Sequence, residues 1–339
     1  MLGPNSPLAG LACPELQGGA LSGSFTADAK TNGTIRAFVV ASSDLSVTAA
    51  SMEGQVADAC TRMGMDLGLG PQQLQPAGGP GGRAQGACGP VAARIDGILR
   101  AAGNAQLAIS YAPPECRFAA DAYASCAASC NIQLDPGSIV AHCTPGRLSG
   151  TCQGTCNGGC DGTCSGSCQG ACSAAGPGGQ CSGECSGTCH GQCSATCHAQ
   201  CQGQWIVPRC DVDARGPNAD AKCDASCKAH AEVTAACTPA RVWVQGTSQW
   251  PDVARLAATL QSNLPVLLTA QLGYGKRLVG DMQAMGDVAA DLGTVLGNVG
   301  AHATACIAAA GAEVAQATAS IRVSVSVSAS ISGRVGAAG

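Results

Sequence analysis

Charged residues are scarce in this chain. They make up 12% of its 339 residues, and the formal net charge is −4. No basic face large enough to attract nucleic acid is evident, so we expect no nucleic-acid partner. Aromatic residues make up only 3%, and the apolar content is mostly Ala, Val, Leu and Cys. No stretch of 18 or more apolar residues occurs, which argues against a transmembrane helix.

The sequence also lacks the short motifs that mark common catalytic sites. There is no G-x-S-x-G, no P-loop, no dinucleotide-binding glycine motif, no H-x-x-x-H or H-E-x-x-H, and no C-x-x-C. No cysteine is set apart as a nucleophile with a histidine and an acid beside it. We predict no catalytic residue, no cofactor and no enzyme activity. His230 and the acid Glu313 are interpreted as groups on helix surfaces.

Cysteine is abundant, and its positions are symmetric. The chain has 24 cysteines, an even number that permits complete pairing. Two runs place Cys at every fourth residue, and most cysteines are mirror images about the point between Gly176 and Pro177. The mirror pairs are Cys116–Cys237, Cys126–Cys227, Cys130–Cys223, Cys143–Cys210, Cys152–Cys201, Cys156–Cys197, Cys160–Cys193, Cys164–Cys189, Cys168–Cys185 and Cys172–Cys181.

The repeat within the two runs, C-x-G-x with polar x, favours a strand. Alternate side chains of a strand point to opposite faces, so Cys and Gly share one face and the polar residues share the other. Directly opposed residues of an antiparallel pair come close enough for a disulfide. A helix would also stack every fourth residue, but the repeated Gly argues against it. We predict a disulfide-bonded hairpin stalk over 113–237, with the ladder at 151–202 and its tip at 173–180.

The remainder is predicted to form a mainly helical base. The fold class is α+β: long antiparallel helices plus a small antiparallel sheet at 27–112 and 238–335, carrying the stalk, with residues 1–26 as a separate N-terminal segment. Apolar residues spaced three and four apart predict long helices at 27–66 and 276–319. Shorter helices are predicted at 90–103, 117–130, 223–236 and 251–262, strands at 105–112, 240–247 and 321–331, and a loop at 68–87.

Four cysteines lie outside the mirror. Cys60 and Cys306 both fall on apolar helix stripes, so a disulfide between them is predicted. Cys13 and Cys88 then remain, and they are paired by elimination.

The cysteine content also bears on compartment. Cytosolic glutathione would reduce most such thiols, so an exported protein is expected, at the cell envelope surface or outside the cell. Residues 1–12 lack the basic start and apolar run of an export signal, which a start annotated too far downstream would explain. The alternative is a metal-binding or redox-buffering thiol protein, because C-x3-C falls within the spacing of zinc ligands. The ladder contains no Lys and its mirror symmetry has no role in a metal cluster, so we predict no metal site.

The C-x-G-x runs at 151–172 and 181–201 resemble those of uncharacterised Cys-rich exported proteins and lipoproteins of myxobacteria-like bacteria. The segment ACPEL at 12–16 is similar to the start of their mature chains. The resemblance implies export by a signal, surface attachment with Cys13 as the residue that would carry lipid, and no known activity.

The expected function is therefore structural. We predict a secreted or envelope-attached surface protein, adhesin-like or a spacer, that presents a rigid stalk. Envelope attachment, self-association and glycan contact along the polar face of the ladder are the expected kinds of interaction, with the partner unspecified. A helical pore-forming or toxin-like protein is the second alternative, although the predicted hairpin is polar and has no apolar band.

Overall fold

The structure is a computed structural model. It describes residues 13, 24–103, 107–112, 114, 116–117, 119–130, 140–144, 147–156, 168–172, 183–189, 198–206, 209–213, 220–245, 250–295 and 300–335. Between 140 and 213 the description is of the backbone.

The described residues are mainly helical. Seven α-helices are present among them: α1 Ala29–Asp66, α2 Gly82–Ala101, α3 Ala120–Ser129, α4 Ala221–Val233, α5 Pro251–Leu268, α6 Lys276–Val295 and α7 Ala301–Arg334. A 3-10 turn at Pro71–Leu74 precedes α2, and a π-helical segment at Thr269–Gly275 joins α5 to α6. Among the described residues, no helix combines the length and the apolarity that a membrane span requires.

Helix α1 is the central element of the base, and its prediction is confirmed. Its first turn is capped by Asp28, whose carboxylate accepts a hydrogen bond from the Thr31 N–H at 2.8 Å. Its apolar stripe is buried against α2, α5 and α7, with Ile35, Phe38 and Val56 fully enclosed. The predicted three-and-four spacing therefore marks the face that builds the core.

The predicted strand at 321–331 is wrong, because this segment is the C-terminal part of helix α7. The alternation of apolar residues and Ser also has a period of four, which keeps one set of serines on a single helical face. That face is buried, and its members are Ser320, Ser324, Ser328 and Ser332. Small side chains there let α7 lie close to its neighbours.

The predicted continuous helix at 276–319 is divided into α6 and α7, the latter with Gly300 as its N-cap.

The predicted pairs Cys60–Cys306 and Cys13–Cys88 are also wrong. The structure joins Cys60 to Cys88 and Cys13 to Cys306, with Cα–Cα distances of 5.0 and 4.8 Å. The first error follows from the start of α2, which begins at Gly82 inside the predicted loop and so carries Cys88 on a helix packed against α1. The second follows from the contact of Phe25 with α7, where its ring stacks on His302, one turn from Cys306, at 5.8 Å between ring centroids.

Short strands extend from the helices towards the Cys-rich segment. Strand β1 Ala108–Ala112 pairs antiparallel with Arg241–Gln245, with Tyr111 opposite Val242 as the mirror predicts. Strand β2 Cys116–Arg117 pairs with Ala236–Cys237, so that Cys116 lies opposite Cys237, and Cys237 is disulfide-bonded.

The backbone between 140 and 213 forms six further short strands: β3 Val140–Thr144, β4 Arg147–Cys156, β5 Cys168–Cys172, β6 Gly183–Cys189, β7 His198–Ile206 and β8 Arg209–Asp213. Near the base the register follows the mirror, with Cys143 opposite Cys210 and Cys152 opposite Cys201. The partner of β2, Ala236–Cys237, is strand β9, and the partner of β1, Arg241–Gln245, is strand β10.

Further along, the register departs from the prediction. Cys168 lies opposite Cys189 and Cys172 opposite Cys185, whereas the mirror pairs Cys168 with Cys185. Strand β4 also has two neighbours, β6 and β7, which a simple two-armed hairpin does not give. The physical reason is the repeat itself: C-x-G-x has a period of four, so a slip by one repeat again sets Cys against Cys, and glycine-rich strands specify register weakly.

Candidate functional site

Two short helices stand at the two ends of the Cys-rich segment. Cys126 and Cys130 lie four residues apart on α3, and Cys223 and Cys227 lie four apart on α4, so each pair shares one helical face. The structure joins the faces by the predicted disulfides Cys126–Cys227 and Cys130–Cys223, with Cα–Cα distances of 5.4 and 6.5 Å. We call α3, α4 and these two disulfides the staple.

Three of the four sulfur atoms of the staple form a compact buried cluster. Cys223 Sγ lies 3.8 Å from Cys227 Sγ, across two different disulfides. The Sγ atoms of Cys130, Cys223 and Cys227 all lie within 4.8 Å of one another. When oxidised, the cluster is a covalent clamp between two antiparallel helices. When reduced, the same positions would hold several thiolates close together, which is the ligand type that zinc prefers in structural sites.

The staple rests on α1 through a glycine. A Cβ atom at Gly33 would lie 2.7 Å from the Ser129 carbonyl oxygen and 2.9 Å from Cys130 Cα, both of which are backbone atoms. Cys130 Sγ is 3.6 Å from the Gly33 carbonyl oxygen. Only glycine permits this approach of α3 to α1 without displacement. The sequence shows Gly33 inside a predicted helix, where Gly is unfavourable, and that local conflict was the available indication of a close contact.

Polar groups complete the attachment of the staple to the base. His230 Nδ1 on α4 lies 2.6 Å from Asp44 Oδ2 on α1, so His230 is paired and largely buried, not a surface histidine as predicted. The buried Tyr123 hydroxyl donates a 2.6 Å hydrogen bond to Asp224. Burial raises the pKa of Tyr123 well above its usual range, and the hydrogen bond to the Asp224 carboxylate raises it further. The phenol therefore stays protonated and remains a donor.

Helix α7 holds two other groups that the sequence analysis did not place inside. Glu313, predicted as a surface charge, is only 8% exposed, and burial raises its pKa from 4.5 to about 7. The hydroxyls of Ser324 and Ser328 are fully buried, and their oxygen atoms find no hydrogen-bond partner in the described part of the chain. These groups lie in the packed interior of the bundle and lower its stability; no exposed reactive site is formed by them.

Several predicted disulfide cysteines lie outside the described residues: Cys160, Cys164, Cys181, Cys193 and Cys197. The structure gives the backbone but no side-chain description for others, namely Cys116, Cys143, Cys152, Cys156, Cys168, Cys172, Cys185, Cys189, Cys201 and Cys210. Bonding at the six innermost predicted rungs of the ladder therefore stays a prediction.

Comparisons with protein-family models, with curated proteins and with solved structures found nothing that matches this chain. The function of this chain is therefore inferred from its own residues and from the geometry of the staple.

Proposed function

We propose that the chain is an exported structural protein of the cell surface, adhesin-like or a spacer, without catalysis. In this proposal the helices and the β1–β10 strand pair form the base, at 27–112 and 238–335. Residues 113–237 form a disulfide-bonded antiparallel stalk that the base presents to the outside. Attachment to the envelope, self-association and glycan contact remain the expected interactions.

The staple is the observation that carries this proposal. Its disulfide Cys130–Cys223 has a sequence separation of 93 and brings the two ends of the intervening segment to a Cα–Cα distance of 6.5 Å. A chain that leaves and returns at one point, through two antiparallel helices, has the topology that a long hairpin needs. The backbone register nearest the staple supports the same geometry, because Cys143 and Cys152 face Cys210 and Cys201, although the register of 168–172 with 185–189 departs from the mirror.

Disulfide rungs would supply the rigidity that this segment cannot obtain from packing. Two-stranded hairpins are marginal in water, and each Gly in a strand adds an entropic cost. A nested rung that closes a short loop stabilises by about 2–3 kcal/mol on the chain-entropy model. Six such rungs together exceed the penalty of about 0.5–1 kcal/mol for each glycine of the two arms, so covalent bonds can replace a hydrophobic core along the stalk.

The disulfides of the base and of the staple support export. Among the described residues, four disulfides join segments that are remote in sequence, including Cys13 with Cys306 across 293 residues. Their cysteines are buried, so they are structural bonds and not exposed redox pairs. Such bonds persist in oxidising compartments and are rare in the reducing cytosol.

Limited proteolysis, together with the intact mass, tests the proposal. Protein purified without reductant should weigh less than its reduced form by about 24 hydrogens, two for each disulfide. A non-specific protease should leave residues 143–210 as one resistant unit, and reduction should abolish the resistance. The variant Cys152→Ser/Cys201→Ser should open the segment, whereas Cys60→Ser/Cys88→Ser, a matched pair in the base, should leave it resistant. Rapid digestion of the oxidised wild type within 143–210 would refute the stalk.

A further inference from the structure

The four sulfurs of the staple suggest a second chemistry for the same helices. We propose that in the reduced chain Cys126, Cys130, Cys223 and Cys227 form a tetrathiolate zinc site, which oxidation then converts into the two disulfides. This inference goes beyond the stalk and does not require it, because all four ligands come from α3 and α4.

The spacing of the sulfurs fits a zinc ion. Four sulfurs at about 2.3 Å from a tetrahedral Zn²⁺ are about 3.8 Å from each other. The non-bonded pair Cys223 Sγ and Cys227 Sγ is 3.8 Å apart, and the cluster of Cys130, Cys223 and Cys227 fits within 4.8 Å. When each S–S bond is broken, its two sulfurs must separate to this same distance, which a small rotation of the side chains provides.

The surroundings of the cluster suit a closed structural site. Cys223 and Cys227 are fully buried, and Cys126 and Cys130 nearly so, which leaves no open position for water or substrate. The contacts of α4 with α1, through His230 and Asp44, and of Tyr123 with Asp224 involve no cysteine and would keep the helices together after reduction. The ion and four thiolates would carry a net charge of −2, while the neighbouring Lys222 and Lys228 are paired with Asp291 and Asp224.

The conversion between the two states balances. Binding of Zn²⁺ by four thiols releases four protons and gives a zinc tetrathiolate with a charge of −2. Two molecules of a disulfide oxidant, R′S–SR′, then take four electrons from the four thiolates and four protons from solvent. The products are the disulfides Cys126–Cys227 and Cys130–Cys223, four R′SH and free Zn²⁺, whose charge does not change. Zinc would thus hold the correct cysteines together until they are oxidised.

A cobalt titration of the full chain tests the site. The probe is Co²⁺ alone, added anaerobically to phosphine-reduced protein, since tetrahedral thiolate coordination gives Co²⁺ intense visible bands. The wild type should bind the first equivalent with this spectrum, and Zn²⁺ should displace it. The variant Cys126→Ser/Cys227→Ser should lose that first tight phase with at least a tenfold loss of affinity. The control Cys60→Ser/Cys88→Ser removes the same number of buried cysteines and should keep the phase.

Other thiols of the reduced chain can also bind metal. The comparison with Cys60→Ser/Cys88→Ser, which removes two cysteines outside the staple, separates their binding from binding at the staple. If both variants titrate like the wild type, the first ion binds elsewhere and the proposal is overturned. Unfolding of the reduced protein gives an independent readout: one equivalent of Zn²⁺ should raise the midpoint of the wild type and of the control, but not that of Cys126→Ser/Cys227→Ser. If Zn²⁺ does not raise the unfolding midpoint of the reduced wild type, the proposed zinc site is also overturned. That result would not bear on the stalk, which concerns the oxidised protein.

Discussion

Replacement of Gly33 by Ala tests whether the staple is fixed to the base by direct contact of backbones. The added Cβ would lie 2.7 Å from the Ser129 carbonyl oxygen and 2.9 Å from Cys130 Cα. Neither atom can rotate away, and the two disulfides prevent α3 from moving independently of α4. Helix α3 must therefore shift as a whole, together with the hydrogen bond between His230 and Asp44.

Two opposing contributions set the change in the free energy of unfolding that Gly33→Ala causes. Ala is a better helix former than Gly by about 1 kcal/mol at an interior position. Overpacking a close contact costs about 1–3 kcal/mol, and the rigid atoms opposite Gly33 place this site towards the upper end. We expect Gly33→Ala to lower the free energy of unfolding by about 1–2 kcal/mol in spite of the gain in helix propensity.

Gly97→Ala is the matched control. Gly97 lies on the exposed side of α2, and a Cβ atom there would find nothing within 4 Å. This variant should gain the helix propensity in full, about 1 kcal/mol, so the two variants should differ by about 2–3 kcal/mol.

Urea unfolding of the oxidised protein, followed by far-UV circular dichroism, measures both variants. Hydrogen exchange should locate the effect: amides of α3 should exchange about fivefold to thirtyfold faster in Gly33→Ala and be unchanged in Gly97→Ala. Equal stabilisation by the two substitutions would show that α3 does not rest on Gly33, and the account of the docked staple would be wrong.

Three further predictions concern the interior. Because the folded pKa of Glu313 is raised from 4.5 to about 7, folding favours its protonated form, so the contribution of Glu313 to stability is greatest below about pH 4.5 and falls until about pH 7. Glu313→Gln should leave melting at pH 4 unchanged and add about 2–3 kcal/mol at pH 8, and equal effects at both pH values would contradict this. Ser324→Ala and Ser328→Ala each remove a buried hydroxyl without a partner and should stabilise by about 1 kcal/mol in chemical denaturation, whereas destabilisation by either would indicate an overlooked hydrogen bond. Tyr123→Phe removes the 2.6 Å hydrogen bond to Asp224 and should lower the free energy of unfolding by about 1.5–3 kcal/mol. If the double variant Asp224→Asn/Tyr123→Phe loses no more than Tyr123→Phe alone, the two groups are directly coupled; a loss equal to the sum of the two single variants would argue against coupling.

The helical part of the fold was predictable because its information is local and periodic. The apolar stripe of α1 predicted its position within two residues at the start, and the mirror positions of the cysteines on α3 and α4 predicted both disulfides of the staple. The sequence of 321–331 is compatible with a strand and with a helix. Serines at every second residue alternate as in a strand, but every second one of them is also four residues from the next and so lies on one face of a helix. Burial of Ser324 and Ser328 on the inner face of a helix decided the outcome, and that tertiary effect is not visible in the pattern.

Pairings that depend on tertiary placement were beyond the sequence. Cys13 is bonded to Cys306 on α7, and Cys60 to Cys88, which an early start of α2 at Gly82 brings onto a helix. No local pattern encodes either placement. The register of the repeat is uncertain for a different reason, since C-x-G-x sequences match themselves at every slip of four residues. Among the groups of the candidate site, Tyr123 and Asp44 likewise became evident only through their contacts.

The most direct test of the covalent hairpin is disulfide mapping of the unreduced protein by mass spectrometry of its proteolytic peptides. The account predicts cross-links Cys126–Cys227 and Cys130–Cys223, together with bonds that join cysteines of 143–172 to cysteines of 181–210. Bonds confined to one arm, or free thiols throughout these two segments, would contradict it.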